Sequence, residues 1–215
     1  GAGLAEMTNI GLPVPAGFTI TTEVCDAYYK NNHKYPSGLK QEVEKNLKHL
    51  EKLVGKTLGD SNDPLLVSVR SGASRSMPGM METILNLGLN DRSVEGLAKK
   101  TSNRRFVLDA YRRFITMYGS TAMGVAREKF EEELELIKET RTRVRLGVRT
   151  ARVFDTDVNE AELRELIPRL KQVFKANTGK DFPQDPLIQL WGAIEAVVGS
   201  WMADKAVTYR RVEKI

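Results

Sequence analysis

The run Asp63-Pro64-Leu65-Leu66-Val67-Ser68-Val69-Arg70 opens on a proline, is dense in branched apolar residues and stops abruptly at Ser71-Gly72-Ala73-Ser74-Arg75-Ser76-Met77-Pro78-Gly79-Met80-Met81. Proline is tolerated at the first position of a strand, and valines pack well on a pleated surface, so a β-strand is predicted over 63–70. Period-two alternation divides it, with Leu65, Val67 and Val69 on one side and Leu66, Ser68 and Arg70 on the other. The small, glycine and proline residues of 71–81 exclude regular structure and predict an irregular loop. Such a loop leaving a strand presents backbone N–H groups that can surround anionic oxygens, and Arg70 at its base offers a planar fork of donors suited to phosphate or carboxylate. The residues equally allow a structural role, in which Arg70 pairs with a carboxylate of the fold and the loop only connects elements.

Around this strand the chain alternates less informative segments. A short helix is expected at Leu4 to Met7, a rigid loop at Gly11 to Gly17, and a short strand at Phe18-Thr19-Ile20-Thr21-Thr22, with Cys25 just after it. Leu39, Val43, Leu47, Leu50 and Val54 fall on one helical face, and Gly55 is placed as a stop. From about residue 93 the period is helical. Phe106, Ala110, Phe114 and Tyr118 form one stripe with Val107, Tyr111 and Ile115 beside it. Leu163, Leu166, Ile167, Leu170 and Phe174 form another, begun by Asn159 with Glu162 in a capping-box arrangement, and Pro168 on it predicts a kink or two shorter helices. Leu187, Leu190, Trp191, Ile194, Val197, Val198 and Trp201 give a last helix an apolar face. The segment 140–155, with Arg141, Arg143, Arg145, Arg149 and Arg152, lacks either period and reads as a mobile basic loop. Strands early and helices later give an α+β lobe followed by a helical subdomain, with a boundary near 90–102.

Composition narrows the function classes. With 215 residues, 41% of them hydrophobic, the chain can bury a core. Thirty-three Lys plus Arg against 28 Asp plus Glu give a net charge of +5, which favours anionic ligands without implying nucleic acid. Cys25 is the only cysteine, so an intramolecular disulfide and a cysteine-based metal cluster are excluded and a reducing compartment is expected. No run approaches the ~20 apolar residues of a membrane span, and the first residues carry no signal-peptide pattern. The missing initiator Met and the charged ending Tyr209 to Ile215 lead us to expect a piece of a longer protein.

Other chemical signals are weaker. Gly55-Lys56-Thr57 resembles the end of a P-loop, but Leu50 stands where that motif needs a glycine. His33 and His49 lie in polar sequence without ligands at metal-binding spacing and are expected at the surface. The arginines of 141–152 lack aromatics for base stacking and read as a solvated insertion. Arg112 and Arg113 interrupt an aromatic helical face, where each can snorkel over the core or reach into a cleft.

The block Ser68-Val69-Arg70-Ser71-Gly72-Ala73, continued by Ser76-Met77-Pro78-Gly79-Met80-Met81-Glu82-Thr83-Ile84-Leu85-Asn86-Leu87-Gly88-Leu89-Asn90-Asp91, closely resembles the pyruvate, phosphate dikinase family. The resemblance extends through Gly1 to Gly17, Pro13 to Glu23, Arg105-Phe106, Tyr111-Arg112-Arg113-Phe114 and Tyr209-Arg210-Arg211. It implies a fold of class α+β: the first lobe of an ATP-grasp domain at 1–91, an inserted mainly helical subdomain at 92–186, and a helix at 187–215 that returns to the first lobe. It implies an enzyme that converts ATP, phosphate and pyruvate to AMP, pyrophosphate and phosphoenolpyruvate with magnesium, through a phosphohistidine. ATP is the expected ligand. Arg70 is expected on its phosphates with Arg113 as a second phosphate contact, and Met81, Glu82 and Thr83 are candidate contacts in a loop that closes over the nucleotide, Met81 having packing as an equal alternative.

The same resemblance implies what else is needed. The family's phosphate-binding lysine precedes the point matched by Gly1, its magnesium ligands and second ATP-grasp lobe follow the point matched by Ile215, and its T-x-H-A-A phosphohistidine motif is absent from this sequence. The implied partners are therefore the remaining ATP-grasp lobe, the phosphohistidine domain and the pyruvate/phosphoenolpyruvate barrel, in a homodimeric parent. Localisation would be cytoplasmic or in an organellar matrix, without membrane or nucleic acid, and these residues alone would be inactive. The alternatives are a fragment of phosphoenolpyruvate synthase, or a non-catalytic nucleic-acid or partner-binding module built on the 141–152 arginines.

Overall fold

The computed structural model describes residues 2–72, 77, 79–146 and 153–214, with the side chains of 141–146 left outside the description. It is mostly helical with a small antiparallel sheet, and it divides into two compact units, 1–57 and 58–215.

The first unit contains α1 (Ala2–Asn9), α2 (Thr22–Lys30) and α3 (Leu39–Val54). In α3 the predicted face is buried at Leu39, Val43, Leu47 and Leu50, while Val54, its last residue, is exposed. Gly55 takes φ +73°, the left-handed conformation that suits glycine, and its N–H returns to the Glu51 carbonyl at 2.8 Å. The strand expected at 18–22 does not form. Residues 18–21 are irregular, Thr21 is the extended residue before α2, and Thr22 and Cys25 are already helical. Branched residues suit an extended backbone, but a strand also needs a partner, and the described residues of this unit offer none.

The second unit holds β1 (Val67–Arg70) and β2 (Thr83–Leu87), then α4 (Asp91–Thr101), α5 (Arg104–Met117), α6 (Glu128–Leu146), α7 (Glu160–Thr178), α8 (Pro186–Ser200) and α9 (Asp204–Glu213). β1 is shorter than the predicted 63–70, because Leu65 makes only an isolated parallel bridge to Leu58. Its faces divide as expected: Val67 and Val69 are half-buried, and Ser68 and Arg70 are exposed. β2 has no clean alternation in sequence, and its register explains why. Val67 pairs with Leu87, Val69 with Ile84 and Arg70 with Thr83, so β2 carries one extra residue between the first two rungs. Asn86, at φ +61°, lies within this bulge. The bulge puts Ile84 and Leu87, three residues apart, both at 0% exposure.

Capping fixes the helix starts. The Asn90 side chain accepts the N–H groups of Arg92 and Ser93 at the start of α4, and Asn159 and Glu162 form the predicted reciprocal pair at the start of α7. α7 runs unbroken through Pro168, contrary to the expected interruption. Its apolar face is buried on both sides of the proline, at Leu163, Leu166 and Ile167 and at Leu170 and Phe174, and this packing holds one helix together. On α5 the buried stripe is Val107, Ala110, Tyr111, Phe114 and Ile115, and Phe106 is half-exposed rather than part of it. A π-helical turn, Tyr118–Ala122, closes α5, with Tyr118 still in the core. α8 buries Leu190, Ile194, Val197 and Val198 as predicted.

The basic segment is helical where it was expected to be a loop: α6 extends to Leu146. Glu128 and Glu131 in its first turn suit the helix dipole, and Phe130, Leu134 and Ile137, at helical spacing, are buried. Residues 147–152, including Arg149 and Arg152, lie outside the described residues, and the chain resumes in a short turn at Asp155–Asp157.

Candidate functional site

The two-stranded sheet has unlike faces. Ile84 and Leu87 are buried toward α5 and α8, which pack on β2. Ser68, Arg70, Thr83 and Leu85 are all exposed on the other face, and Arg70 and Thr83 form its last rung. Among the described residues the Arg70 guanidinium has no hydrogen-bond or ion-pair partner, so the structural carboxylate that the sequence allowed is not found there. The hydroxyl of Ser71, the next residue, is buried without a partner among the described residues. An exposed guanidinium without a carboxylate partner among the described residues is a group that anionic oxygens would satisfy.

The loop beyond Ser71 is described only in part, since residues 73–76 and 78 lie outside the described residues. Met77 is buried, Met81 is half-buried, and the Met80 N–H donates to the Met77 carbonyl at 3.1 Å. Glu82 is engaged within the protein. Its carboxylate accepts Lys205 Nζ of α9 at 2.6 Å, and its N–H donates to Ser200 Oγ at the end of α8 at 3.4 Å. Arg70, Met81, Glu82 and Thr83 are thus gathered at one end of the sheet. Ser200 and Lys205 escaped the sequence reading because they lie 118 and 123 residues from Glu82, in segments without a local motif.

Arg113 is not joined to that group by a hydrogen bond or ion pair among the described residues. It projects from α5 with its side chain 55% exposed and pairs with Asp109 at 3.2 Å. Its neighbour Arg112 is buried, held by Asp109 at 2.7 Å and by Asp155 at 3.3 Å, so the core-facing arginine is fixed by carboxylates rather than by snorkelling. Lys138 of α6 completes this cluster, with Asp155 at 2.6 Å and Glu135 at 2.7 Å, and Arg105 donates to the Asp155 and Val158 carbonyls. Burial alone would raise the Asp155 carboxyl pKa, but the Lys138 hydrogen bond and the charges of Arg112 and Lys138 outweigh it and hold the group below its ordinary value.

His33 and His49 are exposed as expected, and among the described residues no group of three His, Cys, Asp or Glu could hold a metal ion. Among the same residues no helix is long and apolar enough to cross a membrane.

Comparison with known proteins places these features in a wider set. The profile of the family described as "Pyruvate phosphate dikinase, AMP/ATP-binding domain" matches residues 33–215. Over its whole length the chain is 49% identical to pyruvate, phosphate dikinase of Rhizobium meliloti (strain 1021), covering 23% of that protein. It is also 49% identical to the Clostridium symbiosum enzyme of the same name, covering 24%, and 49% identical to the chloroplastic pyruvate, phosphate dikinase 1 of Arabidopsis thaliana, covering 21%. The chain therefore spans about a quarter of the length of these curated relatives.

Proposed function

The chain belongs to the pyruvate phosphate dikinase AMP/ATP-binding domain family, and from that premise we propose that it supplies part of the ATP site of a pyruvate, phosphate dikinase. In this reading 1–91 is the first lobe of an ATP-grasp domain, 92–186 an inserted helical subdomain and 187–215 the return to the first lobe. The parent reaction is the conversion of ATP, phosphate and pyruvate to AMP, pyrophosphate and phosphoenolpyruvate. The remaining ATP-grasp lobe, a phosphohistidine domain and a pyruvate/phosphoenolpyruvate barrel complete it in a homodimer in the cytoplasm or an organellar matrix.

The observation that carries the reading is Arg70, exposed at the end of β1, without a partner among the described residues, and in register with Thr83. Phosphoryl transfer is catalysed chiefly by positive groups and metal ions placed before the reaction begins, and an arginine left unneutralised on a strand end is such a group. Thr83 shares the rung and Met81 is near in sequence. Arg113 reaches a phosphate only from its pairing with Asp109. Magnesium would neutralise the polyphosphate, but the described residues offer no cluster of metal ligands, so the chain's own contribution is charge and position. By itself the chain is expected to be inactive, because one side of a cleft cannot hold the transferring phosphate in line.

Calorimetric titration with magnesium-ATP tests this. The full-length protein is expected to bind, its Arg70→Ala variant to bind more weakly, and the 215-residue chain to bind weakly or not at all. Tight binding by the short chain that Arg70→Ala leaves unchanged would overturn the assignment of Arg70 to phosphate.

A further inference from the structure

Glu82 is the residue at which the loop returns to the sheet, one peptide before the Arg70–Thr83 rung, and it is held from two helices far along the chain. The Ser200 hydroxyl is buried and donates to the Val197 carbonyl at 2.7 Å, which leaves its oxygen lone pairs facing the Glu82 N–H. Lys205 meets the Glu82 carboxylate from the first turn of α9. A cation there opposes the helix dipole, which favours negative charge at a helix start. Its placement is therefore not explained by α9 itself.

The platform that presents Lys205 is fixed. Ala206, the next residue, is fully buried. Arg210, one turn on, donates to the Trp201 carbonyl at 2.7 Å and lies 5.6 Å from the Trp201 ring centroid. The corner between α8 and α9 is thereby closed on itself, and Lys205 projects from it onto Glu82.

We propose that Ser200 and Lys205 are positioning residues for the Arg70–Thr83 rung, acting through Glu82, an inference that rests on Arg70 being the phosphate contact. Their two bonds fix the backbone and the carboxylate of Glu82, and the Glu82–Thr83 peptide passes that restraint to the strand end opposite Arg70. Glu82 then belongs to the clamp rather than to the nucleotide. The Lys205 charge also neutralises a carboxylate that would otherwise stand beside a site for polyphosphate.

The test uses the full-length protein with Lys205→Met, Ser200→Ala and the exchanged pair Glu82→Lys with Lys205→Glu. Amide hydrogen exchange is followed at 82–84 and ATP affinity by calorimetry. Lys205→Met is expected to speed exchange at these amides while the amides of α5 and α7 are unchanged, and to weaken ATP binding roughly threefold to fivefold. Ser200→Ala acts in the same direction, and the exchanged pair restores slow exchange. Unchanged exchange at 82–84 in Lys205→Met and Ser200→Ala overturns the clamp. Faster exchange with ATP affinity unchanged, while Arg70→Ala still weakens binding, overturns the positioning role. If Arg70→Ala also leaves ATP binding intact, the phosphate assignment has failed and the positioning role falls with it, while the exchange data separately decide the clamp.

Discussion

The side chain of Gln189 accepts the backbone N–H of Gly88 on Oε1 at 3.0 Å, while its Nε2 donates to the carbonyls of Leu89 at 2.9 Å and Pro183 at 2.8 Å. Gln189 lies near the start of α8, and Ser200 at the end of the same helix accepts from Glu82. Eleven helical residues rise about 16 Å and six strand residues about 20 Å, so one helix lies along β2 and is bonded beyond both of its ends. A two-stranded sheet is marginal alone and becomes independently stable only against such a partner. The exposed face that carries Arg70 is therefore held in place from behind.

Gln189→Leu keeps the volume but leaves the Gly88 N–H and the Leu89 and Pro183 carbonyls without this partner in the interior, where Gln189 has 0% exposure. Unsatisfied buried groups cost ~1–3 kcal/mol each, partly relieved by relaxation, so a loss of about 3 kcal/mol is expected. A urea unfolding midpoint measured at unchanged m value checks it. A loss under ~1 kcal/mol would mean that water takes over the three bonds.

Gly96 inverts a common rule. Alanine inside a helix is normally better than glycine by ~1 kcal/mol. A Cβ at Gly96 of α4, however, would stand 1.9 Å from the Ser61 carbonyl oxygen and 2.6 Å from Asn62 Cα, both backbone atoms that cannot rotate away. The turn that contains them is braced, since the Asp60 carboxylate accepts the N–H groups of Asn62 at 2.7 Å and Asp63 at 2.8 Å. Gly96→Ala is expected to lower stability by more than ~2 kcal/mol and to shift the thermal midpoint down by several degrees. A rise in the midpoint would show that the 58–63 loop moves off α4 freely.

What was legible in the sequence follows from which forces are local. The α3 stripe, the Asn159–Glu162 cap and the face division of β1 each depend on residues within a turn or two, and each is found. The strand at 18–22 failed because pairing is not local, and β2 was missed because its bulge breaks the alternation that marks a strand. The basic run was misread because the apolar stripe of α6, Phe130, Leu134 and Ile137, stops before the arginines, while the helix itself continues to Leu146. At the candidate site, Arg70 was readable from strand parity, and Met81, Glu82 and Thr83 from the resembling block. Ser200 and Lys205 were not, because only the packing of α8 along β2 brings them to Glu82.

Phe182 sits in the segment between α7 and α8 and is the common neighbour of an aromatic core. Its ring centroid is 6.2 Å from Tyr111, 5.6 Å from Phe114, 5.8 Å from Tyr118 and 5.3 Å from Phe174, all at steep interplanar angles that suit edge-to-face attraction. Phe182→Ala is expected to cost about 3–5 kcal/mol. A second readout is chemical. Burial, with a smaller contribution from the Glu195 charge, pushes the Tyr118 phenol up to about 12. If the cavity admits water, the ultraviolet titration of Tyr118 moves down toward the ordinary value near ~10. An unchanged titration with intact stability would show that neighbouring rings close the gap.

The cluster around Asp155 predicts how stability depends on pH. Asp155 is held below its ordinary pKa, since the raising effect of burial is outweighed by the Lys138 hydrogen bond and the charges of Arg112 and Lys138. Lys138 is held above its own, since the lowering effect of burial is outweighed by its hydrogen bonds to Asp155 and Glu135 and their charges. The folded state therefore releases the Asp155 proton more readily than the unfolded chain does. The stabilisation is present above the unfolded value near ~4 and is lost as pH falls through the folded one. For Lys138 it is present below ~10 and lost as pH rises through its raised value. The difference in unfolding midpoint between the wild type and Asp155→Asn should accordingly be widest from about pH 5 to 9 and close on acidification below ~4. Because the Asp155 side chain is 52% exposed, ~1 M salt should narrow the difference at neutral pH through screening. A difference that persists undiminished to pH ~3 would assign the effect of Asp155→Asn to lost packing or hydrogen bonding at the turn rather than to its charge.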